Sequence, residues 1–426
     1  MPLRVAIIGG GAAGLMGAAT LLEEYPSAKI HLFEKNKQLG TKVIISGGGR
    51  CNVTTGIRDK KELFSKYTRG SHFLRTAIGQ FPPEKVVEWF EAHGVPLKTE
   101  PDNRIFPVSN KGQDVVGVFE KLFKQHGVSL HFSEPVISIS QKGPLSAELI
   151  TTKKTYEFDA IVLCTGGNAY RHTGSTGDGY DFAQSFGHSI TPLGPSLNSF
   201  LCAEEWVKSL SGLSLSHAEL RAQTDDGTQV SAQGPMLFTH FGVSGPSVFA
   251  LSSHLAFTTL SPEKPVHIAM LPIAGRSAHE WNEIIHSEMK QNGAQQIITL
   301  LKNHLPHRLA QTILEITSIP AEKKNSEISR EEREKLLLIL TGKLTISLTK
   351  RRPGDEFVTA GGVKLSEVDS KTMRSKLHPS LYFAGEVLDI DGVTGGFNLQ
   401  ASWATGRLAG KSIAHDKRKK TQDRID

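Results

Sequence analysis

Residues 3–14 constrain this chain more than any other stretch. Leu3-Arg4-Val5-Ala6-Ile7-Ile8 is a short apolar run that reads as a buried strand, and Gly9-Gly10-Gly11-Ala12-Ala13-Gly14 follows it at once. A helical pattern then runs over about 12–25, with Ala13, Gly17 and Ala18 where the helix must lie close to a sheet, and Pro26-Ser27 ends it. Residues 29–33 read as a second strand that stops at Glu34. Each part has a physical task. Gly9 permits a tight turn, Gly11 lets the backbone approach a pyrophosphate, and Gly14 lets helix and strand pack closely. The helix start offers free N–H groups and the positive end of its dipole to phosphates. Glu34 lies where a carboxylate accepts ribose hydroxyls, and it would repel a 2′-phosphate. A glycine turn alone is a weak signal. Strand, glycines, helix, strand and acid in that order predict a Rossmann-type βαβ unit for a dinucleotide.

The rest of the chain bounds what surrounds that unit. At 426 residues it exceeds one ordinary domain. Its 38% hydrophobic and 22% charged residues fit a globular protein. Cys51, Cys164 and Cys202 form no C-x-x-C pair, which argues against a dithiol redox motif or a structural zinc site, and a low, odd count fits a reducing cytoplasm. Histidines show no metal-ligand spacing, so no metal is expected. No run of about 18 apolar residues suggests a membrane span. The net charge is +6, with much of the excess in Lys411 and Lys417-Arg418-Lys419-Lys420, which reads as a solvated, frayed terminus. On this reading no basic segment is interleaved with aromatics, so a nucleic-acid partner is not expected.

Three further segments point to FAD rather than NAD. The loop 40–52, Gly40-Thr41-Lys42-Val43-Ile44-Ile45-Ser46-Gly47-Gly48-Gly49-Arg50-Cys51-Asn52, can lay backbone N–H groups along a pyrophosphate, ribityl chain or flavin edge. Residues 159–167 form an apolar strand that ends in Thr165-Gly166-Gly167. Near the C-terminus, a strand delivers Gly385-Glu386 to a glycine-rich turn, and a helix follows over about 399–413. Glu386 can take ribityl hydroxyl protons. The N–H groups around Phe397-Asn398-Leu399 can face the flavin N1–C2=O region, where negative charge collects on reduction.

With these segments in view, the chain resembles the HI0933/YhiN-type family of FAD-dependent oxidoreductases, also called the BaiN/RdsA family. The resemblance is carried by the fingerprint, residues 42–52, Arg104-Ile105-Phe106-Pro107, residues 237–246, Thr359-Ala360-Gly361-Gly362-Val363 and residues 385–400. Asn103 departs from it, standing where glycine is expected. Residues 173–197 are also similar to the wider fumarate-reductase-like flavoproteins. The resemblance implies an α/β fold: a Rossmann-type FAD-binding domain in two chain segments, with an inserted β-barrel-like domain carrying a helical subdomain. It implies Val136 as a backbone contact for adenine. The segment patterns give matching boundaries. Residues 1–190 and 354–416 would form the FAD domain, 191–275 and 336–353 the β-rich substrate domain, 276–335 the helical insert, and 417–426 a basic tail. Motifs and resemblance together give the candidate cofactor set: Gly9, Gly11, Ala13, Gly14, Glu34, Lys35, Gly40, Lys42, Ser46, Gly47, Gly48, Arg50, Cys51, Asn52, Val136, Thr165, Gly166, Gly385, Glu386, Gly396, Phe397, Asn398 and Leu399.

The expected activity is a reductase. NADH or NADPH would bind transiently, because no second complete G-x-G-x-x-G unit is present, and hydride would pass through FAD to a small organic acceptor such as an enone. An oxidase of a small amine or similar donor is the alternative, and a flavin-dependent RNA-modifying or RNA-binding protein is a third reading. His240, in a glycine-rich loop of the inserted segment, is the candidate proton donor, and Arg104 a candidate anchor for an anionic group.

Overall fold

The computed structural model describes residues 2–143, 146–354 and 356–422. The chain divides into two compact units, Met1–Pro195 with Phe357–Asp426, and Ser196–Glu356.

The first unit is built on a five-stranded parallel sheet in the order Leu381–Phe383, Ala160–Leu163, Arg4–Ile8, Lys29–Glu34, Ser129–Phe132. Val5, Ala6 and Ile7 are wholly buried in its centre, as expected for a parallel sheet covered on both faces. Strand order reverses beside Arg4–Ile8. The next strand in sequence lies on one side of it, and the late strands Ala160–Leu163 and Leu381–Phe383 lie on the other. Such a reversal opens a crevice beyond the strands' carboxyl ends, which here are Ile8-Gly9 and Leu163-Cys164.

The helix Ala12–Glu24 is buried from Ala12 through Leu22. It is apolar on all sides because the sheet takes one face and the C-terminal helix Phe397–Gln422 takes another. This last helix is longer than the expected 399–413. Lys417 and Arg418 continue it instead of fraying, and the Arg418 guanidinium donates to the Glu24 carbonyl. Residues 423–426 of the expected basic tail lie outside the described residues. The loop expected over 40–52 contains a short helix, Thr41–Ile45, because Gly40 at φ 62° turns the chain so that its carbonyl accepts from the Ile44 N–H. Asn103, the departure from the family pattern, has φ 64°. Asparagine tolerates the left-handed region better than most residues, so the turn that glycine would make is kept.

The second unit is a closed barrel of six antiparallel strands in the order Phe200–Cys202, Gly242–Ser244, Gln229–Thr239, Ser214–Gln223, Val266–Leu271, Leu344–Arg351. Pairing of the first with the last closes it. Alternation fills the inside: Leu344, Ile346 and Leu348 are buried while Thr345 is exposed. Between Val266–Leu271 and Leu344–Arg351 the chain forms the helices Ala278–Gln291, Ile297–Lys302, His307–Thr317 and Arg330–Leu338. Ser277 and Ser329 cap the first and last of these through reciprocal bonds with Glu280 and Glu332. Among the described residues, no helix is long and apolar enough to cross a membrane.

Candidate functional site

The fingerprint turn is held by close backbone contacts that exclude any side chain. A Cβ at Gly9, whose φ is 107°, would lie 2.5 Å from the Cys164 carbonyl oxygen, and one at Gly14 would lie 2.0 Å from the Gly9 oxygen. Gly11 differs, because nothing lies within 4 Å of the place its Cβ would occupy. The turn is therefore packed on its protein side and open at the glycine that must admit a phosphate. Glu34 ends the neighbouring strand with one oxygen accepting from Gly10 N at 2.9 Å and the other from Asn36 N at 2.8 Å. A carboxylate has about four acceptor positions, so lone pairs remain for ribose hydroxyls.

Within the loop 46–52, Gly47, Gly48, Gly49 and Cys51 take left-handed backbone. Gly47, Gly48 and Gly49 have φ of 57°, 71° and 86°, and Gly48 and Gly49 face open space. Its polar side chains are engaged by protein. Arg50 donates to Glu100 at 2.6 Å and lies 3.7 Å over the Phe106 ring, and Asn52 Oδ1 accepts from Ile105 N. Cys51 is fully buried, and burial pushes its thiol up to about 12, so it is no thiolate nucleophile. What this loop turns outward is backbone, at Gly48-Gly49.

The C-terminal segment closes onto the same turn. A Cβ at Gly385 would meet Ala13 Cβ at 2.8 Å, and Gly385 N donates to Thr405 Oγ1. Glu386 accepts from Lys42 Nζ at 2.8 Å and from Thr359 N at 2.9 Å. Gly396 lies against Thr54, where a Cβ would stand 2.4 Å from the Thr54 oxygen. The Asn398 side chain bonds both the N–H and the carbonyl of Gly392, and the Tyr67 hydroxyl donates to the Phe397 carbonyl. These bonds fix the first turn of the last helix, and Leu399 packs partly buried beside it.

The two helices run in the same sense. Gly406 meets Ala13, with a Cβ 2.2 Å from the Ala13 oxygen, and Gly410 meets Gly17, with a Cβ 2.5 Å from the Gly17 oxygen. Ala13 is one residue into its helix and Gly406 is nine into its own. At 1.5 Å per residue, the last helix therefore starts roughly 12 Å before the first, reckoned along their common N-to-C direction. Two positive helix ends thus stand in sequence along one line.

Thr165 and Gly166 follow the strand beside Arg4–Ile8. Gly179 packs so closely on Thr165 that a Cβ would lie 2.0 Å from its hydroxyl. The Lys35 ammonium is taken by Asp178 at 2.6 Å and by Thr176. Ser46 Oγ donates to the Val43 carbonyl, and Val136 pairs with Thr151 at the start of a three-stranded antiparallel sheet. The candidate set is therefore brought into one unit, although Lys35, Arg50, Cys51 and Asn52 spend their side chains on protein partners. Arg104 donates to Asp102 at 2.7 Å and lies 3.3 Å from Glu100, so two carboxylates already neutralise it. His240 is exposed on the turn between Gln229–Thr239 and Gly242–Ser244 of the second unit, with its ring edge to Phe241.

Sequence reasoning missed several residues here. Thr359 holds Glu386, and Thr54 and Gln400 bond each other at 2.6 Å across 346 residues. It also missed a cluster beside Val136. His31 Nδ1 and His131 Nε2 are 3.0 Å apart, and Glu134, 3% exposed, accepts from Thr151 and Tyr156 at 2.8 Å each. Burial, with the charges of His131 and Arg4, lowers His31 to about 4. Burial opposes ionisation of Glu134, yet bonds from Thr151, Tyr156, Lys153 and His131 bring it down to about 2. Alternation of His31 with Leu32 and Phe33 was the available signal, and it does not identify a partner 100 residues away. One expectation is corrected outright. Residues 58–75 carry Arg58, Lys60, Lys61, Lys66, Arg69 and Arg75 among Phe64, Tyr67 and Phe73, so a basic segment interleaved with aromatics does exist.

With this geometry in hand, comparison with known proteins gives a consistent picture. The model of the family described as "HI0933-like protein Rossmann domain" matches residues 3–412. The 3-dehydro-bile acid delta(4,6)-reductase of Clostridium scindens is 28% identical over 416 residues, covering 96% of this chain and 99% of the relative. The ribosomal RNA dihydrouridine synthase of Escherichia coli is 27% identical over 400 residues, covering 94% and 95%. That of Haemophilus influenzae is 28% identical over 414 residues, covering 96% and 98%. Among solved structures, an E. coli quinol fumarate reductase FrdA shares the fold, with a TM-score of 0.51 and 15% identity over 99% of this chain and 71% of that one.

Proposed function

The chain belongs to the HI0933-like family, and from that premise we propose that it is an FAD-dependent oxidoreductase that reduces a carbon–carbon double bond conjugated to a carbonyl. The observation that carries the reading is the pair of parallel helices, whose staggered starts come from opposite ends of the chain and flank glycines open to a ligand.

The residues fit the cofactor. Gly11 and Ala13, on the turn that Gly9 and Gly14 keep tight, would hold the pyrophosphate together with the Gly48 backbone. Glu34 would hold the adenosine ribose on the lone pairs that Gly10 and Asn36 leave free. Lys42 pairs with Glu386 at 2.8 Å, and Glu386 would accept from ribityl hydroxyls. The first-turn N–H groups at Phe397, Asn398 and Leu399 would stabilise negative charge at the flavin pyrimidine. FAD, when bound, supplies the hydride-transfer chemistry.

The substrate class rests on what two relatives' names have in common. A 3-dehydro Δ4,6 steroid is a conjugated dienone, and dihydrouridine is uridine saturated at the ring double bond conjugated to a carbonyl. Reduction of such a bond takes one hydride and one proton. NADH or NADPH supplies the hydride and becomes NAD(P)+, and a proton completes the saturated product. We assign that proton to His240 and leave Arg104 out of the machinery, since Asp102 and Glu100 take its guanidinium. The reducing cytoplasm is the proposed setting, in keeping with three free, buried cysteines.

The test is a visible spectrum of the purified protein, then anaerobic addition of NADPH and NADH, then of an enone. Flavin absorbance that bleaches and returns with stoichiometric enone loss supports the reading. A colourless protein that takes up no FAD ends it, and donor-dependent peroxide in a parallel aerobic assay, without enone reduction, replaces it with an oxidase. His240→Gln should slow the enone step and leave bleaching unchanged.

A further inference from the structure

Glu134 is a carboxylate that the cofactor cradle does not use. It is 3% exposed, yet both of its oxygens are engaged. The Thr151 and Tyr156 hydroxyls donate to Oε1 at 2.8 Å each, and His131 Nδ1 and Lys153 Nζ each lie 3.2 Å from Oε2. A carboxylate only accepts, so Nδ1 of a neutral His131 carries the proton, and its Nε2 accepts from His31 Nδ1 at 3.0 Å. Packing locks the rings that make this relay. His131 stacks on Phe33 with centroids 4.4 Å apart, and Tyr156 stands edge-on to Phe33 at 5.1 Å. Stability gives such a group little reason to exist, because exchanging a buried charge and its partners for packed apolar residues is often neutral or stabilising. What a buried and fully bonded polar group does supply is a single fixed geometry.

The geometry fixed here is that of residues 133–135, which join the strands Ser129–Phe132 and Val136–Gly143. Ser133 has φ 47°, a left-handed conformation that a residue with a side chain keeps only where its surroundings hold it. Pro135 confines Glu134 to extended backbone. Two N–H groups of this turn reach the strand end that carries the ribose carboxylate. Ser133 N donates to the Asn36 carbonyl at 3.0 Å, and Glu134 N to the Glu34 carbonyl at 3.4 Å. The Glu34 side chain in turn accepts from Asn36 N. Val136, the expected adenine contact, follows Pro135 directly. The backbone of Glu134 thus bears on Glu34 and leads into Val136, while its carboxylate is spent on Thr151, Tyr156, His131 and Lys153.

We propose that Glu134, held by Thr151, Tyr156 and the His31–His131 relay, is a positioning residue for the adenosine half of the dinucleotide. It acts through residues 133–136 on Glu34 and Val136 and touches no part of the cofactor itself. This role rests on the cofactor reading, and the probes tell the two apart. Full-length apoprotein is titrated with FAD and with ADP, which carries the adenosine half alone. The visible spectrum of the FAD-saturated protein reports the flavin half. Glu134→Met removes the acceptor, Glu134→Gln keeps one oxygen for Thr151 and Tyr156, and Tyr156→Phe deletes one donor and keeps the ring. Glu157→Gln is the control, an exposed acid of the same three-stranded sheet, paired with Lys142. Glu134→Met should weaken ADP and FAD alike by about tenfold, the worth of one hydrogen bond from the ribose to a displaced Glu34. Glu134→Gln and Tyr156→Phe should each weaken both ligands by about threefold, as for a bond kept in part. The control should bind as the wild type does, and the spectrum at saturation should be the same throughout. ADP binding that is unchanged in Glu134→Met and Tyr156→Phe would overturn the role and leave the cluster a matter of stability alone. A shifted flavin spectrum at saturation would also overturn it, because the disturbance would not be confined to the adenosine half. Should Glu134→Met not fold, Tyr156→Phe decides by the same two readings. Wild type that binds neither FAD nor ADP overturns the cofactor reading and this role together, whereas variants that match a binding wild type overturn the role alone.

Discussion

At the end of the second parallel strand, Glu34 carries two duties on one carboxylate. It satisfies the N–H groups of Gly10 and Asn36, and it faces the space where a ribose belongs. Glu34→Ala should therefore lower stability even without cofactor, by about 1–3 kcal/mol for a buried N–H left without its acceptor. It should also weaken FAD binding. Thermal unfolding of the apoprotein separates the first effect and flavin titration the second, and an unchanged apoprotein would show that the turn does not depend on this residue. The cysteines make a contrasting case. Cys51, Cys164 and Cys202 are all buried, and burial raises each thiol, Cys51 and Cys202 to about 12. None should react with a thiol reagent at neutral pH in the native protein, and three should react in denaturant. Rapid labelling of one thiol in the folded state would contradict the burial.

Among the elements, the seam between Ala12–Glu24 and Phe397–Gln422 is the most sensitive. Gly406→Ala places a methyl 2.2 Å from the Ala13 carbonyl oxygen, against backbone that cannot swing aside. The expected cost is at least the 1–3 kcal/mol typical of overpacking, about as estimated for crowded cores, together with a displaced helix start and reduced flavin content. Gly117→Ala is the matched control. It lies in the helix Gly112–His126 with nothing within 4 Å, so the same change should be neutral or stabilising by up to about 1 kcal/mol. Melting temperature and bound flavin, measured on both variants, decide the matter, and equal behaviour would refute a tight seam.

For the whole molecule, two shifted groups set an acid limit. His31 titrates at about 4 in the fold against 6.5 for the free group, so between those values the unfolded chain binds a proton that the native one refuses. Glu134 titrates at about 2 against 4.5, so the native carboxylate is protonated only after the unfolded one. Both shifts act in one direction. The contribution of these two groups is full above about pH 6.5, falls first through His31 and then through Glu134, and is lost near pH 2. Urea midpoints at pH 7, 5 and 3 should decline in that order, and His31→Gln should flatten the step from 7 to 5. A midpoint that rises on acidification would reverse the assignment.

Beyond the inserted barrel, which the family resemblance implied, the sequence by itself determined the local grammar: the fingerprint turn, the acid that closes its second strand, the cap residues Ser277 and Ser329, the small residues Gly406 and Gly410, and with them a Rossmann-type unit. These are demands that backbone conformation and periodicity place on neighbouring residues, and they can be read along the chain. Only the tertiary structure decided that Lys42 meets Glu386, that Thr54 meets Gln400, that His31 stacks on His131, and that Glu100 takes both Arg50 and Arg104. Those contacts depend on strand order and on how two helices slide along each other. Such choices are set by summed packing over the whole unit, and no short stretch of residues records them.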